Sequence, residues 1–196
     1  MIKSNIQIKY THQHSVIRDF SDNIFVADYT EQTKTHTVKR SVEFFSPSHP
    51  TDIHFLSLFN NNKISVSGIE FNNSSFVCGN GNPKTQCEAV FFPTTSTSDS
   101  WILFCELKYS CLSKRNRKNL KEAIRQLYKT RYYYMQNNVI VNTNNSYLVA
   151  SLPMQREPFS NFTIPPSLLI KLKNTRNIIL RLKNSIEIND DKIIHV

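Results

Sequence analysis

The stretch WILFCELKYS, residues 101–110, runs through consecutive apolar positions into a carboxylate, an apolar residue and an amine. Apolar side chains at both odd and even positions read as a strand buried on both faces, central in its sheet. Glu106 and Lys108 are two residues apart, so an extended chain projects both onto one face while Leu107 points to the other. An acid and a base at the end of such a strand fit either an internal ion pair or a metal-dependent active site.

The flanking sequence supplies neighbours for this strand. Upstream, KISVSGIEF (63–71) and QCEAVFF (86–92) read as strands, joined by the turn-rich NNSSFVCGNGNPKT (72–85). Glu88 shares a face with Val90 and Phe92, so adjacent strands would bring Glu88 and Glu106 together at one end of the sheet. Downstream, Leu120, Ala123, Ile124, Leu127, Tyr134 and Met135 recur at helical spacing, with Ser113 as a candidate N-cap. Lys114, Lys118, Lys121, Arg125 and Lys129, spaced by four, three, four and four, form a separate basic stripe on that helix. NVIVNT (138–143) and SYLVASLP (146–153) supply one or two further strands. SPSHPTD (46–52) is a break, with Asp52 able to cap a short helix over DIHFLSLFNNN (52–62). The order strand, strand, strand, helix, strand gives an α/β class with one central mixed sheet flanked by helices.

Composition bounds the partners. The 196 residues fit a single domain over 1–196, and no apolar run approaches the roughly 18–20 residues of a membrane span. The N-terminal segment lacks the apolar block of a secretory signal, so the expected location is cytoplasmic and no membrane partner is expected. Cys78, Cys87, Cys105 and Cys111 have no paired zinc-ligand spacing and read as free thiols, and the six histidines, His12 and His14 included, as solvated. The net charge is +9, and between Lys108 and Arg131 nine Lys or Arg face one acid, Glu122. That imbalance argues for a polyanionic partner, with nucleic acid first.

Two carboxylates and a backbone carbonyl, that of Leu107, make an oxygen-rich set that suits Mg²⁺ or Mn²⁺ rather than zinc. Glu88, a loop, then Glu106-Leu107-Lys108 and a basic helix resemble the PD-(D/E)xK nuclease superfamily, which includes many restriction endonucleases, resolvases and RecB-like exonucleases. The resemblance implies a restriction-endonuclease-like core over about residues 51–153, with additions at both ends. It implies Mg²⁺-dependent hydrolysis of phosphodiester bonds, DNA before RNA, in defence against foreign DNA, repair or mobile-element processing. Glu88 takes the place of the second-strand acid, Glu106 of the third-strand acid, Lys108 of the lysine and Gln126 of the helix glutamine. Glu70 is the candidate for the leading acid, ahead of Glu43 and Asp52. Glu stands where the family usually has Asp at 88, Cys87 where it has Pro, and Thr130 where RecB-like members have tyrosine. Specificity would then come from nucleic-acid structure, a homodimer or a partner protein. Two other readings stand beside this one. The chain could be a non-catalytic nucleic-acid-binding protein with a degenerate nuclease fold, or a structural subunit docking on an acidic partner.

Overall fold

The structure is a computed structural model that describes residues 1–14 and 16–196. Its centre is the strand read first from the sequence. β7 (Trp101–Leu107) is buried at all seven positions. It lies inside a six-stranded mixed sheet of order β1-β5-β6-β7-β8-β9. β1 is Arg18–Phe20, β5 Val66–Glu70, β6 Ala89–Pro93, β8 Asn145–Ser151 and β9 Ile178–Leu182. β5, β6 and β7 form an antiparallel meander; α2 (Asn116–Gln136) then crosses over to β8, which runs parallel to β7, and β9 continues parallel to β8.

Alternation along these strands assigns the two faces. Val90, Phe92, Ile102, Phe104, Leu148 and Ala150 form one core with Leu120, Ala123 and Leu127 of α2. The same core takes Ile2 and Ile6 of α1 (Ile2–Lys9) and Leu172 of α3 (Pro166–Arg176). Phe91, Leu103, Cys105 and Leu107 face the other way. They pack on a second, five-stranded sheet of order β11-β10-β4-β2-β3. Its strands are β2 (Ile24–Asp28), β3 (Val42–Phe45), β4 (Leu56–Phe59), β10 (Ser185–Ile188) and β11 (Ile194–His195).

The class is therefore α/β, with a correction to its layering. Helices cover one face of the central sheet only, and the second sheet covers the other. The segment expected as a helix at 52–62 is instead β4. Its Leu56 and Leu58 alternate into the inter-sheet core and pair with Ile24 and Val26 of β2, a period of two that overrides the Asp52 cap signal. Ser113 does not cap α2: it opens a turn of 3-10 helix (Ser113–Arg115), and α2 starts without a side-chain cap. NVIVNT contributes no strand, and Val139 and Ile140 fill the helix-side core from a turn. His14 is not solvated. It stacks on Tyr10 at 4.4 Å among Phe71, Phe76 and Tyr134, and burial pushes its pKa down to about 4. A neutral imidazole serves there as one more aromatic ring.

Candidate active-site cleft

The register between β6 and β7 sets Ala89 opposite Cys105. The paired register ends there: the Glu88 N–H, just before β6, also donates to the Cys105 carbonyl at 3.1 Å, so Glu88 sits at the end of the ladder beside Glu106 and Leu107. Lys108, two residues past Glu106, pairs with it. Both carboxylates, the amine and Gln126 line one cleft of about 370 Å³. The sequence-read set is thus brought together at the strand ends, with the exception of Glu70.

Each side chain is held differently. The Leu107 N–H donates to Glu88 Oε2 at 2.8 Å, so main chain of the neighbouring strand fixes this carboxylate. Residues 105 and 107 direct their backbone groups toward β6, whereas the Lys108 N–H turns to Ser151 of β8. The Leu107 carbonyl thus faces the same side as its amide, toward Glu88. Glu106 is fully buried, and Lys108 Nζ stands 2.7 Å from its Oε1. Lys108 is the one cation at Glu106, and Glu106 Oε2 has no hydrogen-bond donor among the described residues. Gln126 donates through Nε2 to the Gln86 carbonyl at 3.0 Å, leaving its own Oε1 buried and without a donor.

Thr130 accepts the Cys87 N–H at 2.7 Å and donates to the Gln126 carbonyl. It stitches α2 to the start of β6, directly beside Glu88.

The electrostatics follow from burial. Desolvation, then the charges of Glu106 and Asp28, raise Glu88 well above the usual carboxylate range. Desolvation also raises Glu106, to about 7, against the opposing pull of Lys108. Lys108 would be lowered by its own burial, but the carboxylates of Glu106, Glu88 and Glu122 reverse the sign and raise it. A carboxyl whose folded pKa exceeds its unfolded value binds more protons folded than unfolded, so stability falls as pH rises between the two values. For Glu106 that window runs from 4.5 to about 7, and the loss is on the order of 3 kcal/mol. A cation held by the two carboxylates would take the place of those protons. Thermal melts in EDTA should therefore fall between pH 5 and pH 8. Added Mn²⁺ should raise the melting temperature by several degrees at pH 8 and hardly at all at pH 5. A Mn²⁺ shift that is the same at both pH values would show that the ion binds elsewhere.

Glu70 stands apart from the cleft. It pairs in register with Ala89, whose side chain belongs to the inter-sheet core, so Glu70 points toward the second sheet. There it accepts the Phe44 N–H at 2.8 Å and pairs with Arg18. Glu43 and Asp52 are engaged by Arg40 and the Tyr29 hydroxyl. α1 contains no acidic residue.

The acid that does reach the cleft is Asp28, at the end of β2. The Asp28 N–H donates to the Tyr109 hydroxyl, and Tyr109 follows Lys108 directly, so one hydrogen bond ties the second sheet to the end of β7. Nothing in the local sequence of β2 signals this, because it depends on how the two sheets stack. Among the described residues no group of three or more acidic, His or Cys side chains is close enough to share one ion. The buried oxygens of Glu106 and Glu88, completed by a backbone carbonyl such as that of Leu107, would nevertheless give an all-oxygen donor set. Such a set fits a hard divalent cation completed by waters.

The basic stripe lies on the same helix as two residues of this region, and none of its five cations lines the cleft. Gln126 lines it, and Asn119 lines an adjoining hollow with Glu88 and Lys108. Lys118 and Arg125 each precede one of these residues and stand about 100° around the helix from it. Lys114, Lys118, Lys121, Arg125 and Lys129 are all exposed, and none enters an ion pair among the described residues. The placement is costly to the helix. Cations crowd its positive N-terminal end, and like charges sit four apart at Lys114 and Lys118, Lys121 and Arg125, and Arg125 and Lys129.

No family model, curated protein or solved structure matches this chain. The functional reading therefore rests on the cleft itself.

Proposed function

We propose that the chain is a divalent-cation-dependent nuclease that hydrolyses phosphodiester bonds, with DNA its first substrate. The observation that carries the proposal is the convergence of Glu88, Glu106 and Lys108 on one cleft that α2, the helix bearing the unpaired cations, also lines through Gln126. Glu88, Glu106 and the Leu107 carbonyl would hold Mg²⁺ or Mn²⁺. When bound, the ion supplies Lewis acidity at a phosphoryl oxygen and eases deprotonation of water. Lys108 is placed to orient the attacking water or to hold charge that builds on the phosphoryl group. Gln126, with its donorless oxygen in the cleft, is placed to accept a hydrogen bond from that water. The three-strand meander followed by a helix crossover to a parallel strand has the order of elements of the PD-(D/E)xK core, and this supports the reading.

The stripe would grip phosphates without reading sequence. Replacing Lys118, Lys121 and Arg125 by Gln should weaken DNA binding equally across sequences. The slope of log K against log salt should flatten by up to about three units. An unchanged slope would leave these residues as a solvated helix face.

A second reading draws on the Glu106–Lys108 ion pair itself: a nucleic-acid-binding protein whose cleft has lost its chemistry. One assay separates the two. The protein is incubated with plasmid, linear DNA and RNA in Mg²⁺, Mn²⁺ or EDTA. Cation-dependent cleavage that EDTA abolishes is expected. Salt-sensitive binding without cleavage under any ion would favour the second reading.

A further inference from the structure

A cavity of about 700 Å³ shares no residue with the cleft. Its walls come from α3, from β8 and β9, and from β11 with the residue after it. β9 and β11 are each the outermost strand of their sheet, so the groove lies at the border of both. Tyr147 pairs in register with Ile179, and Arg181 follows two residues along β9, so these three side chains share one face. Leu169 and Ile170 of α3 and Ile194 of β11 extend an aliphatic lining in which Tyr147 and His195 are the only aromatic rings. Ile170 is 61% exposed, an apolar side chain that the fold leaves to solvent. A concave, mostly apolar volume of about 300–1,000 Å³ is the ordinary setting of a small-molecule site.

The charged side chains on its wall are of one sign. Lys173 and Arg181 line the groove, and no Asp or Glu does. Arg181 is half-buried, and its charge opposes the upward push of burial on the Tyr147 phenol. Its Nη1 donates to the Leu180 carbonyl at 2.9 Å, while Nε and Nη2 make no hydrogen bond among the described residues. Lys173 donates only to the neutral side-chain oxygens of Asn145 and Asn177. No carboxylate among the described residues pairs with either cation. A half-buried guanidinium gives up hydration that one neutral carbonyl restores in part. A carboxylate restores more, because it matches the planar fork with two charge-assisted bonds.

We infer that this groove binds a small amphipathic carboxylate, an alkyl chain with an anionic head in the manner of a medium-chain fatty acid. The head pairs with the free nitrogens of Arg181, and Lys173 adds to the attraction. The chain lies along Leu169, Ile170, Ile179 and Ile194, where each buried methylene contributes. A second copy of the chain is the poorer occupant. It would bring the same cations, and a net charge of +9, against their like. The inference stands independently of the nuclease reading.

The test titrates the full chain with decanoate, decyltrimethylammonium, decanol and butyrate, each below its micelle concentration, followed by calorimetry. Decanoate should bind with a Kd of about 10–100 μM. Butyrate and the cationic amphiphile should bind at least about tenfold more weakly. In methyl NMR, decanoate should shift Ile170, Ile179 and Ile194 and leave Ile102, in the helix-side core, unmoved. Arg181→Gln should weaken decanoate about tenfold and leave decanol unchanged, which shows that the variant keeps its groove. Ile170→Asn, at a solvent-exposed position, should weaken both ligands. Equal affinity of the parent for decanoate and decyltrimethylammonium would overturn the inference. Full decanoate binding by Arg181→Gln would do the same, as would shifts confined to methyls outside the groove. Shifts of the groove methyls on raising protein concentration alone would overturn it in favour of self-association.

Discussion

Glu106→Gln should lower cation-dependent cleavage by about a thousandfold or more while leaving the fold intact or firmer. The side chain is fully buried, with Lys108 2.7 Å from Oε1 and no donor at Oε2 among the described residues. Such an oxygen pair is a cost to folding unless something positive occupies the space beside it. Lys108 meets one oxygen, and a cation would meet both. Gln keeps the volume and one oxygen but removes the charge, so the affinity for Mn²⁺ should fall together with the rate. Stability should respond in the opposite direction. Burial raises Glu106 to about 7, so at pH 8 the native state carries an anion that burial disfavours. Gln imitates the protonated form and should melt no lower than the parent in EDTA at pH 8. Lys108 remains partly exposed and can turn its ammonium to water. Parent-like cleavage by the variant would remove Glu106 from the site. A variant that melts far below the parent at pH 8 would identify the Glu106–Lys108 pair as an element of the core. Glu88→Gln should follow the same pattern with a smaller loss, because Glu88 is anchored by the Leu107 amide and Gln can still accept that bond.

What was legible in the sequence tracks the range of the interactions involved. The buried strand at 101–107, the meander before it and the helix after it are each written in local periodicity, and the approach of Glu88 to the end of β7 follows once neighbouring strands are assumed. Contacts between layers left no such trace. DIHFLSLF carries a helix cap signal and a run that suits either period, and only the partner strand β2 decides for β4. Asp28 reaches the cleft because the Tyr109 hydroxyl ties the two sheets together, across 81 residues of sequence. Glu70 failed for a simpler reason. A strand offers two faces, and the register against β6 turns this residue to the face opposite Glu106. His14 had the composition of a solvated residue and was drawn into the core by the aromatic rings around it.

Lys108→Met separates chemistry from architecture at the strand end where the sequence set an acid beside an amine. Methionine keeps most of the apolar stem and deletes the charge. If Lys108 orients water or holds charge on the phosphoryl group, turnover should fall below detection. Binding of Mn²⁺ and of DNA should persist, since Glu88, Glu106 and the cations of α2 are untouched. The ion should even bind more tightly, because a competing positive charge 2.7 Å from Glu106 has gone. If the amine is instead the structural partner of Glu106, its removal strands a buried carboxylate, a cost of about 3–5 kcal/mol where the group stays ionised. Glu106 is already raised toward neutrality and can take up a proton in place of its partner. The structural penalty should therefore be small at pH 5 and grow toward pH 8. Melts of parent and variant at both pH values, with EDTA and with Mn²⁺, read the two roles together. The nuclease reading requires that Mn²⁺ restore at pH 8 most of the stability the variant loses, while cleavage stays absent. A variant that is strongly destabilised at pH 8 and gains nothing from Mn²⁺, alongside a parent equally indifferent to the ion, would leave the pair as architecture alone.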